Sequence, residues 1–224
     1  MELYAYPRER LGDGTAPVRL CVIADTHGFH DRLAVPEADL LIHAGDMTMS
    51  GTREEVADFS RWWNALPHPH KVVIAGNHDW LFQREPDLAR SFLKGCVYLE
   101  DSEATVLGLR IYGSPWQPWF LDWAFNLRRG PEIRAKWDLI PKGVDLLLTH
   151  GPPLGRGDRT ARGEPAGCRD LLDAVRGRVR PRWHVFGHIH EGYGITQDRR
   201  TTFVNASVCD RAYEPVNEPV LLEL

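Results

Sequence analysis

The chain has 224 residues, which suits one α/β domain or at most two small ones. Hydrophobic residues make up 43% of it and charged residues 26%, which is typical of a globular protein and argues against disorder. The net charge is −4 and no basic stripe is visible. The sequence therefore argues against a protein that grips duplex nucleic acid by its phosphates.

The cysteines and the apolar runs of the sequence indicate the cellular compartment of the protein. The four cysteines are scattered without a CxxC pair, and the N-terminal segment MELYAYPRERLGDG has no apolar core of signal-peptide length. No apolar run approaches the roughly 20 residues of a membrane span. We therefore predict a cytoplasmic protein with reduced thiols, and no membrane partner is expected.

Strand and helix patterns alternate in the first half of the chain. Continuous apolar, β-branched runs predict three strands that are buried on both faces, at residues 18–24, 38–44 and 71–75. Between the last two, Thr52 and Glu55 form a capping-box pattern. Apolar residues spaced i, i+3, i+4 follow, at Val56, Phe59, Trp62 and Trp63. This segment is predicted to be a helical crossover between parallel strands.

The second half mixes hairpins and helices. A hairpin around Gly108 is predicted at residues 104–114, and the aromatic-rich residues 115–130 are expected to be irregular. Further elements are predicted in chain order: helix 131–140, strand 144–149, helix 168–179, strand 183–187, and closing antiparallel strands 193–197, 201–207 and 219–224. The mixture predicts two sheets, partly parallel and partly antiparallel, flanked by helices.

Five apolar runs end in side chains that can bind a metal. These side chains are Asp25 and His27, Asp46, the Asn77-His78-Asp79 triplet, His150, and His188 with His190. Ligands of open α/β sheets bind beyond the carboxyl ends of the strands, so side chains at a shared edge would converge on one pocket. Each motif alone could be a turn, a helix cap or a surface histidine. Five of them at five strand ends favour a common site.

The chemistry of this set predicts a two-metal centre. Two acids, one amide and four histidines supply oxygen and nitrogen ligands without sulfur, at Asp25, His27, Asp46, Asn77, His150, His188 and His190. Such a set suits Mn²⁺, Fe, Zn²⁺, Ni²⁺ or Co²⁺ rather than Ca²⁺ or a structural zinc. Seven ligands exceed what one ion needs, so two ions with a bridging carboxylate are expected. His78 is not needed as a ligand and can donate a proton to a leaving oxygen.

The motifs DxH, GD, GNHD, TH-G and GHIH, in this order, resemble the signature of the calcineurin-like metallophosphoesterases. Stretches such as RIYGSPWQPWF, THGPPLG and HVFGHIHEGYG are closer still to one branch, the small metallophosphoesterase-domain-containing proteins of animals and their bacterial relatives. The resemblance implies a four-layer α/β/β/α sandwich of two mixed sheets. It implies a single domain over residues 1–224, in which residues 1–16 form an N-terminal extension that we expect to be loosely ordered.

The resemblance also implies an activity and roles for the residues. The implied activity is hydrolysis of aryl phosphodiesters and small nucleotides such as cyclic nucleotides, by in-line attack of a metal-bridging hydroxide. The first metal is assigned to Asp25, His27 and His190, the second to Asn77, His150 and His188, and the bridge to Asp46. His78 is assigned as general acid with Asp79 as its support. Mn²⁺ is the expected ion in vitro, with Fe, Zn²⁺, Ni²⁺ or Co²⁺ as alternatives.

The last predictions concern the substrate and the alternative functions of the protein. We expect a small-molecule phosphodiester or nucleotide as substrate, and at least one of Trp116 and Trp119 lining the site. The alternative is that the aromatic stretch forms a satellite core or a dimer contact. Two alternative functions remain: a nuclease or nucleotide-pyrophosphate hydrolase on the same core, and a catalytically weak nucleotide-binding regulator. The complete ligand set, with His188 present, argues against the regulator.

Overall fold

The structure is a computed structural model that describes residues 4–5 and 17–224. The expected loose order of residues 1–16 lies outside the described residues, apart from the two-residue strand Tyr4–Ala5, which pairs in parallel with the last strand of the chain. Within the described part of the chain, no helix is long and apolar enough to cross a membrane.

The elements alternate between strands and short helices along the chain. In order they are β1 (Tyr4–Ala5), β2 (Arg19–Ile23), β3 (Leu40–Ala44), α1 (Arg53–Ala65), β4 (His70–Ile74), α2 (Trp80–Arg84), α3 (Pro86–Phe92), β5 (Val97–Tyr98), β6 (Ser102–Val106), β7 (Leu109–Ser114), β8 (Gln117–Pro118), β9 (Asn126–Leu127), α4 (Pro131–Asp138), β10 (Leu146–Thr149), α5 (Arg169–Ala174), β11 (Trp183–Phe186), β12 (Gly194–Gln197), β13 (Thr202–Asn205) and β14 (Val220–Glu223). Helix α5 continues as a π-helical turn over Val175–Val179.

Two mixed six-stranded sheets form the centre of the molecule. Their strand orders are β1-β14-β2-β3-β4-β5 and β12-β13-β11-β10-β7-β6. The closing strands were predicted to be antiparallel, which is correct for β12 against β13 and for β14 against β2. It is wrong for β13 against β11, which is a parallel pair. The reason is that β12 forms the outer edge, so that β13 returns beside β11 in the same direction.

Three hydrophobic cores separate four layers, as the α/β/β/α sandwich requires. Alternation along β2 shows how one strand serves two cores. Leu20 and Val22 belong to the core between the sheets, whereas Cys21 and Ile23 face the core beneath α1, α2 and α3. The third core packs α4 and α5 against the outer face of the second sheet. Strands buried on both faces explain the continuous apolar runs in the sequence.

Helix α1 begins where the capping box predicts. The Thr52 hydroxyl accepts a hydrogen bond from the Glu55 amide at 3.2 Å, and the Glu55 carboxylate accepts one from the Thr52 amide at 2.9 Å. Val56, Phe59 and Trp63 are fully buried against the first sheet. This packing fixes α1 as the crossover that makes β3 and β4 parallel, so that their carboxyl ends lie at one edge.

Candidate metal centre

The five predicted strand ends come from both sheets rather than from one edge of one sheet. Strands β2, β3 and β4 lie in the first sheet, and β10 and β11 lie in the second. The segment after β13 joins them, because Ala24 donates a backbone hydrogen bond to Ala206 and accepts one from Val208. The carboxyl ends of all five strands therefore meet at the junction of the two sheets.

Several of the predicted ligands have an uncommon backbone conformation. Asp25, His27, Asp46 and His188 have φ values of 56°, 44°, 57° and 69°, in the left-handed region that residues other than glycine rarely adopt. Such strain persists only where the surrounding structure imposes it, and it is typical of functional sites. Each sharp turn aims a side chain back across the strand ends.

Two glycines of the motifs are required by close approach. A Cβ atom at Gly76 would clash with the Asp46 carboxylate, and one at Gly187 would clash with the Asp25 carboxylate. The glycines in the GNHD and GHIH motifs therefore make room for the two acids. The space needed beside each carboxylate explains why glycine stands at these two motif positions.

One group of candidate ligands contains Asp25, His27 and His190. The Nε2 atoms of His27 and His190 lie 3.2 Å apart, and His190 Nε2 lies 3.7 Å from Asp25 Oδ1. The ligand atoms of all three residues lie within 4.8 Å of one another. His190 Nδ1 donates to the carbonyl oxygen of Asp210 at 2.8 Å, which turns Nε2 toward the group.

A second group contains Asp46, His150 and His188, again within 4.8 Å of one another. His150 Nδ1 donates to the Ala44 carbonyl oxygen at 3.1 Å, and its Nε2 lies 3.3 Å from Asp46 Oδ2 and 2.9 Å from Asn77 Oδ1. Asp46 Oδ2 also lies 3.7 Å from His27 Nε2 in the first group. Asp46 is thus placed between the two groups, where a bridging carboxylate would lie.

The buried charges in this region balance one another. Burial opposes ionisation of Asp25, but the hydrogen bond and charge of His190 outweigh it and hold the Asp25 pKa below its usual range. Burial likewise opposes ionisation of Asp46, and the charge of His150 outweighs it, so that the Asp46 pKa is lowered as well. In return, despite burial, Asp46 raises the pKa of His150 to about 9 and Asp25 raises that of His190 to about 9.

Of the four histidines predicted as metal ligands, the other two, His27 and His188, are neutral. Burial lowers the pKa of His27 to about 4 and that of His188 to about 3, so both rings present the uncharged form that binds metals. Metal ions would displace the protons of His150 and His190. Two buried carboxylates surrounded by neutral imidazole nitrogens and one amide oxygen would then form a site that requires positive charge at its centre. Divalent cations fit this donor set.

His78 is held at the cavity with one nitrogen directed away from solvent. Its Nδ1 donates to the Met49 carbonyl oxygen at 2.7 Å, and its Nε2 lies 4.0 Å from Asp46 Oδ2. The ring of Trp123 stacks on it at a centroid distance of 4.2 Å, and the ring of His27 meets it edge-on at 4.5 Å. One hydrogen bond and two ring contacts therefore fix the orientation of the ring.

Asp79 is fully buried and does not line the cavity. Its carboxylate accepts backbone hydrogen bonds from Gly76, Asp46, Met47 and Thr48, between 2.8 and 3.3 Å, and one from the Thr48 hydroxyl at 2.7 Å. Burial and the Asp46 charge raise the Asp79 pKa to about 6 in spite of these donors. Its position is that of a support for the Asp46 loop and not of a group that contacts substrate.

A cavity of about 490 Å³ opens above the two groups. Its floor includes Asp46, Asn77, His78, His188 and His190, and its wall includes Trp119, Phe120, Leu121, Trp123 and Tyr213. Of the two predicted tryptophans, Trp119 lines the cavity. Trp116 does not line it, because its ring packs on Phe125 and its Nε1 donates to Asp101 at 2.9 Å.

The sequence analysis missed several residues of the cavity. Trp123 was considered only as one of several aromatics, and Arg129, Arg211 and Tyr213 were not singled out. Tyr213 has a φ of 62° and meets the ring of His27 edge-on at 4.8 Å. The one available signal was its position in the polar stretch between two predicted strands, which does not distinguish it from other loop residues.

The other histidines lie outside the centre. His43 bonds to the Thr26 hydroxyl, His68 to the Pro36 carbonyl and His184 to the Thr149 hydroxyl, while His70 is exposed. His30 packs on Phe59 and Trp62 of α1. These placements agree with structural roles.

Comparison with known proteins adds a family to this geometry. The model of the calcineurin-like phosphoesterase family matches residues 18–192. Metallophosphoesterase domain-containing protein 1 of Homo sapiens is 48% identical over 230 residues, which cover 92% of this chain and 71% of that protein. The UPF0046 protein T07D4.2 of Caenorhabditis elegans is 42% identical over 237 residues, covering 92% and 60% respectively. The solved structure of TT1561 of Thermus thermophilus is similar in fold, with a TM-score of 0.55 at 14% identity over 85% of this chain and 89% of that one.

Proposed function

Because the chain belongs to the calcineurin-like phosphoesterase family, we propose that it is a phosphodiesterase that hydrolyses aryl phosphodiesters and small nucleotides such as cyclic nucleotides. Family membership makes it a phosphoesterase, and the preference for diesters is the proposed part. The observation that carries this preference is the cavity itself, in which an aromatic wall stands beside the acid and histidine floor. A diester has a second ester group, and this wall offers it an apolar surface.

The proposed ligand roles follow the two groups of side chains. Asp25, His27 and His190 would hold one divalent ion, Asn77, His150 and His188 the other, and Asp46 both. When bound, the ions would supply Lewis acidity to the phosphoryl group and activate water for in-line attack.

The remaining residues of the cavity would bind and orient the substrate. The guanidinium group of Arg211 makes no hydrogen bond or ion pair with the described residues, so it is available to a phosphoryl oxygen. Arg129 is different, because its guanidinium donates to the carbonyl oxygens of Ala166 and Gly167 at 2.7 Å and thereby fixes part of the wall. His78 would protonate the leaving oxygen.

Metal reconstitution tests the proposal directly. Protein stripped of metal by a chelator is expected to be inactive toward bis-p-nitrophenyl phosphate and to gain turnover when Mn²⁺ is added, because the buried carboxylates and imidazoles then bind the ions. The measurement is the release of p-nitrophenolate, with p-nitrophenyl phosphate as the monoester control. Faster hydrolysis of the monoester would contradict the preference for diesters. If neither Mn²⁺ nor Fe, Zn²⁺, Ni²⁺ or Co²⁺ restores turnover, the result would favour the nucleotide-binding regulator.

The aromatic wall gives a second prediction. Trp119, 56% exposed at the mouth of the cavity, would stack on a nucleobase. Trp119→Ala is expected to raise the KM for a cyclic nucleotide about tenfold, since stacking of a base on an aromatic ring contributes roughly 1–3 kcal/mol. The measurement is steady-state hydrolysis of cyclic AMP.

The matched control is Leu139→Ala, because Leu139 is 55% exposed and lies at the end of α4, outside the cavity lining. It removes exposed apolar surface without touching the wall, so its KM should be that of the unsubstituted protein. An unchanged KM in Trp119→Ala would remove Trp119 from the substrate site.

A further inference from the structure

A second cavity, of about 310 Å³, lies at the opposite end of the second sheet from the metal centre. It forms where the π-helical turn Val175–Val179 meets the tight turn between β12 and β13, at residues 198–201. Strand β13 separates the two sites, with Thr202 at the end near this cavity and Asn205 at the end near the metal centre. We call it the arginine cleft, after its lining residues Arg176, Arg180, Arg199 and Arg200.

The positive charge of the arginine cleft is not neutralised by its surroundings. Its lining contains one acid, Asp198, whose Oδ1 accepts the backbone amides of Arg200 and Thr201. Its Oδ2 lies 3.4 Å from Arg176 and 3.4 Å from Arg156, which is outside the lining. Four guanidinium groups therefore face one carboxylate that is already shared.

Two of these guanidinium groups are free to bind a ligand. The side chains of Arg199 and Arg200 are exposed and make no hydrogen bond or ion pair with any residue that the structure describes. The whole chain has a net charge of −4, so a basic surface is not a general property of this protein. Adjacent like charges repel, and an anion bound between them would relieve that repulsion.

The backbone around the arginine cleft is also unusual. The end of α5 widens into a π-helical turn. Such turns are rare in proteins as a whole, but they occur often at functional sites. Arg180, which ends that turn, has a φ of 51° in the left-handed region. Its Nε donates to the Arg176 carbonyl oxygen at 3.1 Å, so the strained residue is held in place at the edge of the cleft.

We propose that the arginine cleft binds a small ligand that carries two or more phosphate groups. Guanidinium groups match phosphate oxygens in bidentate geometry, and the free groups of Arg199 and Arg200 can each bind one phosphate. A volume of about 310 Å³ is at the small end of ligand pockets. This binding site is independent of the proposed phosphodiesterase activity.

The test is isothermal titration of the full chain with inorganic tripolyphosphate. No divalent metal is added, because tripolyphosphate chelates such ions. The double variant Arg199→Ala/Arg200→Ala is expected to lose more than tenfold in affinity, since it removes the charge-assisted hydrogen bonds of both free guanidinium groups. Its turnover of bis-p-nitrophenyl phosphate with Mn²⁺ should equal that of the unsubstituted protein, which separates this proposal from the catalytic one.

The matched control is Lys94→Ala/Arg169→Ala, which removes two exposed positive charges outside the arginine cleft. It should keep full affinity for tripolyphosphate. Equal losses in both double variants would reduce the effect to overall charge and overturn the proposal, as would the absence of binding to the unsubstituted chain. Tighter, arginine-dependent binding of a single-stranded oligonucleotide than of tripolyphosphate would overturn the assignment to a small ligand.

Discussion

Replacing Asp46 with alanine is expected to reduce phosphodiesterase turnover by more than about 10²-fold. Loss of a residue that hydrogen-bonds to a metal ligand, without binding the metal itself, costs about 10–100-fold in metal affinity or activity. Loss of a ligand shared by two metal ions should cost more. Asp46 Oδ2 lies 3.3 Å from His150 Nε2 and 3.7 Å from His27 Nε2, so the substitution removes the carboxylate that lies between both groups. The measurement is turnover of bis-p-nitrophenyl phosphate with added Mn²⁺.

The loss can be distinguished from unfolding by a readout that does not involve activity. A metal that binds only the native state raises the melting temperature, and this rise should disappear in Asp46→Ala. Asp145→Ala is the matched control, because Asp145 accepts a hydrogen bond from the Arg110 amide near the start of β10, away from the cavity. It should keep both turnover and the metal-dependent rise in melting temperature.

His188→Ala extends the same test to one of the two groups. His188 belongs to the group with Asp46 and His150, and not to the group with Asp25. Turnover should again fall by more than about 10²-fold, while binding of a first metal ion should survive because the other group is intact. Retained turnover in both Asp46→Ala and His188→Ala would refute the two-metal interpretation.

The candidate ligands could be found from sequence because each follows a run of buried strand residues. An apolar run such as that of β3 stops at the point where the chain leaves the core, so Asp46 marks both the strand end and the site. What the runs do not reveal is which sheet each strand joins. The structure shows that the ends come from two sheets, which depends on long-range pairing such as that of β13 with β11.

The wall of the cavity could not be predicted for a different reason. The strands of this segment, β8 and β9, are two residues long, too short for a periodicity that predicts which side chains face the core. The buried amide of Gln117 donates to the Ala124 carbonyl oxygen and to Asn126 Oδ1, and these bonds fold the loop back on itself. As a result Trp116 faces the core while Trp119 and Trp123 face the cavity, an outcome that depends on these individual hydrogen bonds.

His78→Gln is expected to discriminate between substrates by their leaving groups. A cyclic nucleotide releases an alkoxide that must take up a proton, and loss of a general acid typically costs about 10²–10⁴-fold in rate. The p-nitrophenolate ion departs without a proton, so turnover of bis-p-nitrophenyl phosphate should fall far less. The measurement is kcat for both substrates in the same protein preparation, with bound metal determined in parallel.

Trp123 provides the companion variant, because its ring stacks on His78 at 4.2 Å while the His78 Nδ1 hydrogen bond to Met49 remains available. Trp123→Leu should reproduce the substrate discrimination of His78→Gln in weaker form, since the ring of His78 would lose one of the two ring contacts that orient it. Equal losses for both substrates in His78→Gln would assign His78 to binding the phosphoryl group rather than to proton transfer. The geometry favours proton transfer, because Nδ1 is occupied by a carbonyl oxygen and Nε2 is the nitrogen left to exchange a proton at the floor of the cavity.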